Sequence, residues 1–241
     1  MTSGDGSAGA DARRERSIAL APEGLPIVLT ALVAGVVLTA LLFAPLTPPR
    51  FLRGFLPALL SAGPLLLLAG LFSAFFFRDP RRRGPDDPAL VLSAADGRVT
   101  TVERGEEGLK ISVFMSVFNV HVNRAPAAGL VKRVEYKPGE FLAAWKRLAE
   151  RVNERVTVTL GTAWGPVAVT QIAGVLARRI VCRVRPGARL ARGERFGLIR
   201  FGSCVVVLLP PGATPLVSPK DRVRAGVTPI ARWSGDVGAP S

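Results

Sequence analysis

Val156-Thr157-Val158-Thr159-Leu160-Gly161-Thr162-Ala163-Trp164-Gly165-Pro166-Val167-Ala168-Val169-Thr170-Gln171-Ile172 decides the fold. It holds two runs rich in β-branched residues, Val156–Leu160 and Val167–Ile172, with Gly161 and Gly165 between them. That is the pattern of consecutive strands. Outward from this stretch the texture repeats. Val91, Val99, Ile111–Phe114, Val120, Val122 and Val131–Tyr136 precede it, and Arg179–Val184, Leu198–Phe201 and Cys204–Leu209 follow it. Asp96-Gly97, Gly105, Gly108 and Pro138-Gly139 supply turns. Strands at about ten-residue spacing with glycine turns predict a mainly β domain, a sandwich or barrel. One helix is predicted to interrupt it, from Phe141 to Val152. Phe141, Leu142, Trp145, Leu148 and Val152 share one face at helical spacing.

Glycines near strand ends in Ala95–Val99, Arg192–Glu194 and Arg224–Val227 resemble those of the flattened barrel of biotinyl and lipoyl carrier domains. A non-catalytic, membrane-tethered carrier or binding module is therefore the alternative function. A carrier would present a lysine at a hairpin tip, often as Met-Lys-Met, and the chain has no such tripeptide.

The first third of the chain reads differently. Leu25–Leu46 and Phe55–Phe77 are almost wholly apolar and contain no charge. Each is close to the roughly 20 residues that cross a hydrocarbon core. Pro64 is expected to kink the second. Together they predict a helical membrane hairpin. A signal peptide competes for the first run, because Arg13, Arg14 and Arg16 precede it, but the run is long for that role and a second follows at once. One span with one interfacial helix, or a hairpin that dips into one leaflet, fits the same residues. Arg50 and Arg53 lie between the runs, and Arg78, Arg81, Arg82 and Arg83 follow them. The arginine excess at both outer ends puts those ends, and the β domain, on the cytoplasmic side of the cell membrane. The expected organisation is a disordered N-terminus (1–17), an anchor (18–77), a polar linker (78–89), the β domain (90–232) and a disordered tail (233–241).

Lys and Arg number 32 against 18 Asp and Glu, a net charge of +14. Such a surface suits an anionic partner. Beside two membrane segments, anionic lipid is a simpler partner than nucleic acid, which is not expected. Cys182 and Cys204 are the two cysteines and His121 the one histidine, too few for a structural zinc site. No metal is expected, and Cys204 reads as core packing. Any imidazole acid–base step must use His121. Asp96 lies in an Asp-Gly dipeptide, which on its own is a hairpin-turn signal.

Seven blocks in order carry the strongest signal: Phe77-Arg78-Asp79-Pro80, Ser93–Val99, Phe114–Pro126, Tyr136–Gly139, Asn153-Glu154-Arg155, Gln171–Gly174 with Ala177–Ile180, and Gly193–Ser203. In this order the chain resembles the phosphatidylserine decarboxylases, in their short bacterial and archaeal form, over about residues 75 to 210. Ala94 stands where that family usually has proline. Its better-known long members carry Leu-Gly-Ser-Thr at the self-cleavage point, where this chain has Phe201-Gly202-Ser203-Cys204.

The resemblance implies that the chain cuts itself between Gly202 and Ser203, giving residues 1–202 and 203–241 as a heterodimer. The Ser203 hydroxyl attacks the Gly202 carbonyl and turns amide into ester. β-Elimination frees the Gly202 carboxylate, and the dehydroalanine left at 203 takes up water and loses ammonia. The product is a covalent pyruvoyl group that forms a Schiff base with the substrate and replaces pyridoxal phosphate. The implied reaction is decarboxylation of phosphatidylserine to phosphatidylethanolamine in an anionic membrane. His121 is the implied proton donor and Asp96 a partner in self-cleavage. Asn153, Arg155 and Arg178 are the implied substrate contacts. Long members have a second histidine where this chain has Arg124, so either His121 serves both steps or the short form cleaves differently. A protease of the signal-peptidase kind would need Ser203 paired with Lys or His, and Ser203 precedes a wholly apolar strand.

Overall fold

The structure, a computed structural model, describes residues 20–43, 55–143, 148–174, 179–200 and 203–233. The chain divides into two compact units, Met1–Arg81 and Arg82–Ser241.

The first unit contains helices α1 (Leu25–Leu42) and α2 (Leu56–Phe76). Each carries proline in its first turn, where the missing N–H has no helical partner to lose. Pro64 lies inside α2. Glycines bring the two backbones together. A Cβ on Gly63 would stand 2.6 Å from the Thr39 nitrogen, and one on Gly35 2.8 Å from the Leu67 nitrogen. Ala21 N–H donates to Phe77 O (2.7 Å) and closes the hairpin's base. Neither helix has a polar face. Leu65 is 70% exposed, Leu68 65% and Val33 60%. At 1.5 Å per residue α1 reaches about 27 Å, short of a roughly 30 Å hydrocarbon core. Among the described residues no helix is long and apolar enough to cross a membrane.

The second unit is mainly β. Its strands are β1 (Leu90–Leu92), β2 (Gly97–Gly105), β3 (Gly108–Met115), β4 (Val122–Arg124) and β5 (Gly129–Lys137). A short helix, α3 (Ala149–Val152), precedes β6 (Arg155–Thr162) and β7 (Gly165–Ile172). Then come β8 (Ile180–Cys182), β9 (Arg189–Leu190), β10 (Arg195–Ile199), β11 (Ser203–Leu209), β12 (Ala213–Pro215), β13 (Arg222–Val223) and β14 (Pro229–Trp233). They form an eight-stranded sheet in the order β13-β2-β3-β11-β7-β6-β5-β9 and two three-stranded sheets, β1-β14-β12 and β4-β10-β8. The mainly β architecture expected of a sandwich or flattened barrel is present, with the large sheet curled into a half-barrel. Its edge strands β13 and β9 have two residues each, too few to carry a further ladder.

Strand alternation builds the core. Along β6 the valines and Leu160 are buried while the threonines are half-buried. Ile111, Val113, Val169, Val205, Val207 and Leu209 join them on one face. Each such burial is worth about 1.5–3 kcal/mol. On the other face Thr157 and Thr170 pair across strands (3.0 Å). Gly97 has no room for a side chain, since a Cβ would meet Phe114 O at 2.0 Å.

Three expectations change here. Phe141–Ala143 are not helical, and α3 covers only the end of the predicted helix; residues 144–147 lie outside the described residues. Glu140 and Leu142 are instead held by Val152 O and the Asn153 side chain, so tertiary bonds override a helical pattern. Trp233, placed in the expected tail, instead ends β14 and is 4% exposed. The expected disorder of 1–17 and 234–241 lies outside the described residues.

Residues 82–89, read as linker, are strapped to the second unit. Arg82 grips Asp96 with both guanidinium ends, the Nη2–Oδ2 bond being 2.8 Å, and donates to Ala225 O (2.9 Å). Arg192 donates to the carbonyls of Pro85, Asp87 and Leu90. The Arg82–Asp96 side chains are 10% exposed on both sides. Arg82→Ala should therefore destabilise the β domain by about 3–5 kcal/mol, because a buried carboxylate loses its counter-charge. Denaturant unfolding of the purified protein checks this; an unchanged midpoint would refute the clamp.

Candidate active site

Ser203 opens β11 opposite Met115, the last residue of β3. Its side chain lies on the core side with Val205 and Val207, following the two-residue period. It is fully buried, and its hydroxyl donates to Met115 Sδ (3.4 Å). A thioether is a weak acceptor, so the hydroxyl is oriented without being held strongly.

Met115 Sδ also receives Asn123 Nδ2 (3.7 Å), and Asn123 Oδ1 accepts from Gln171 Nε2 (2.8 Å). Met115, Asn123 and Gln171 are all fully buried. Gln171 Oε1 has no hydrogen-bond partner. Gly197 of β10 closes over this amide. A Cβ there would stand 2.8 Å from Gln171 Nε2 and 2.6 Å from Val181 O, so only glycine lets the small sheet approach the large one. Four strands thus bring a hydroxyl, a thioether and two carboxamides into one dry nook.

His121 immediately precedes β4 and is fully buried. Its Nδ1 lies 3.0 Å from Asn119 O. A carbonyl accepts only, so Nδ1 carries a hydrogen toward it. The His121 carbonyl accepts from Ile199 N–H (3.3 Å), which ties this segment to the strand leading toward Ser203.

Asp96 ends the turn before β2. Besides Arg82, its Oδ1 accepts from Ala225 N–H (2.8 Å). Arg98 pairs with Phe114 and Phe114 with Cys204. Asp96 and Ser203 therefore share one end of the sheet, two strand spacings or about 10 Å apart. Arg124 donates to Gly193 O (3.1 Å) and supports the turn before β10.

The other expected contacts are placed as follows. Asn153 donates to Leu142 O and Ala173 O (both 2.7 Å) and accepts from Leu142 N–H, so both its N–H groups serve the backbone. Arg155 donates to Glu150 O and Arg151 O (2.9 and 2.8 Å) and closes α3. Gly202 and Arg178 lie outside the described residues. Cys204 points away from Ser203 toward Ile172, Phe114 and Val206. Burial pushes its thiol far up, which denies it a thiolate's reactivity. Among the described residues no three His, Cys, Asp or Glu groups gather where they could hold a metal ion.

Asn123 and Gln171 stood in the quoted blocks without a role. One signal was legible: Gln171 continues the core-side series Val167, Val169 along β7, and a carboxamide at a core position calls for a specific partner.

The family model for phosphatidylserine decarboxylase matches residues 69–231. A phosphatidylserine decarboxylase proenzyme of Symbiobacterium thermophilum is 51% identical over 180 residues, 71% of this chain and 84% of its own length. One of Pelobacter propionicus is 42% identical over 234 residues, 91% of this chain and 99% of its own. A third, of Pelodictyon phaeoclathratiforme, is 43% identical over 172 residues, 69% and 81% of the two chains.

Proposed function

This chain belongs to the phosphatidylserine decarboxylase family, and from that premise we propose that it is a proenzyme whose reactive group is made from Ser203. It is a carboxy-lyase that converts phosphatidylserine to phosphatidylethanolamine. The observation that carries the site assignment is the buried Ser203 hydroxyl in a nook of apolar and amide groups.

The surroundings of Ser203 fit a self-derived pyruvoyl group. Met115 and Val205 exclude water from it, Gly197 lets β10 pack against the Gln171 amide, and Gln171 Oε1 is an acceptor that has no donor. When formed, the pyruvoyl carbonyl supplies an electron sink for an amino acid losing CO₂. The remaining work belongs to the chain's own residues. The weak O–H···S contact leaves the Ser203 oxygen lone pairs available for the Gly202 carbonyl. As that C–N bond breaks, the hydroxyl proton passes to the Ser203 nitrogen. His121 Nε2 is the proton-carrying atom for turnover. Asp96, fixed by Arg82 and Ala225 N–H, supplies negative charge at the same end of the sheet and takes part in self-cleavage. Arg178 contacts the substrate headgroup.

The product is a heterodimer of residues 1–202 and 203–241. The α1–α2 hairpin seats the enzyme in an anionic cell membrane, with the β domain on the cytoplasmic side. Its support is the apolar surface round both helices and the glycine-mediated contact typical of helices in lipid. Arginines at both outer ends support the orientation.

Full-length protein purified in detergent and given phosphatidylserine labelled in its carboxyl group tests the reading. Labelled CO₂ and phosphatidylethanolamine are expected in equal amounts. Two chains without CO₂ release would refute the activity, and an uncut active chain would refute the self-processing.

A further inference from the structure

We propose that Gln171 binds the amine nitrogen of the substrate through Oε1. The inference rests on Ser203 being the reactive position. Gln171 pairs with Val205 across β7 and β11, so it is the diagonal neighbour of Ser203 on the same face. Such neighbours lie about 7–8 Å apart at Cα, within reach of a long side chain. The side chain is fully buried, and Oε1 is without a donor. Native interiors rarely leave a buried carbonyl oxygen unpartnered.

The network decides which end of the amide faces the site. Nε2 is bonded to Asn123 Oδ1, while Asn123 Nδ2 is turned to Met115 Sδ. Oε1 is therefore the free end. It can take only an N–H or O–H donor. The substrate's phosphate and carboxylate bring acceptors, which Oε1 repels, and its primary amine brings donors. The amine is also the group that must arrive at position 203 for the reaction to begin. Gln171 thus selects headgroups that carry an amine and aligns that nitrogen. Gly197 preserves this arrangement, since a methyl there would strike the amide.

Two substitutions in the full-length protein test this. Gln171→Met keeps the length and removes the oxygen. Gln171→Glu keeps an oxygen and removes the Nε2 donor. Three readouts are the masses of the two chains, phosphatidylserine turnover in mixed micelles, and the mass that borohydride fixes on the small chain in the presence of phosphatidylserine. The Met variant should be cut normally, turn over about 10²-fold more slowly and fix correspondingly little mass, as when one preorganised polar contact is lost. The Glu variant should recover part of the fixed mass. Wild-type capture by the Met variant would overturn the proposal. So would equal losses in both variants with a lowered melting temperature, which would mark a packing role. If both variants stayed uncut, Gln171 would act before any amine arrives and the proposal would fall. A wild-type protein that is cut and captures the amine keeps the assignment of Ser203 independent of these outcomes.

Discussion

Replacing Ser203 by alanine should leave one chain of 25.5 kDa with no decarboxylase activity. No other hydroxyl can replace its Oγ, because the attacking oxygen and the nitrogen of the broken bond belong to the same residue. Wild-type protein should give two chains whose masses sum to the precursor plus one water and minus one ammonia. The small chain should resist stepwise N-terminal sequencing, since a ketone has replaced its amine. The variant should remain folded. Ser203 Oγ makes a 3.4 Å contact with a thioether, so alanine should change stability by no more than about 1 kcal/mol. An unchanged melting temperature with complete loss of cutting separates chemistry from unfolding. A cut or active Ser203→Ala protein would remove this residue from the mechanism.

The second large effect is expected at His121. Decarboxylation leaves a carbanion that needs a proton, and His121 is the chain's one imidazole. Its Nδ1 hydrogen is directed at Asn119 O (3.0 Å), which orients the ring. Removing a positioned general acid costs about 10²- to 10⁴-fold in rate. His121→Ala should be cut into two chains and turn over that much more slowly. The separation of the two steps follows from giving self-cleavage to Asp96, as proposed above. Mass spectrometry and CO₂ release on the same preparation read the steps independently. An uncut His121→Ala precursor would show that one imidazole serves both. Full activity in a cut variant would assign the proton to another group.

Much was determined by the sequence alone. The two β-branched runs in Val156–Ile172 mark consecutive strands, because β-branched side chains fit a pleated surface. Seven ordered blocks named the family, which the family model over residues 69–231 bears out. The two charge-free apolar runs gave a helix pair for the same local reason. Tertiary structure decided what depends on contacts between distant residues. The helix expected from Phe141 gives way to bonds from Asn153 and Val152. Arg82, read as part of a linker, closes on Asp96. The side chains of Asn153 and Arg155 bond backbone carbonyls. The nook at Ser203 takes Met115, Asn123 and Gln171 from β3, β4 and β7. No spacing in the chain announces that meeting, because sheet register, with the close approach that Gly197 permits, brings those side chains together.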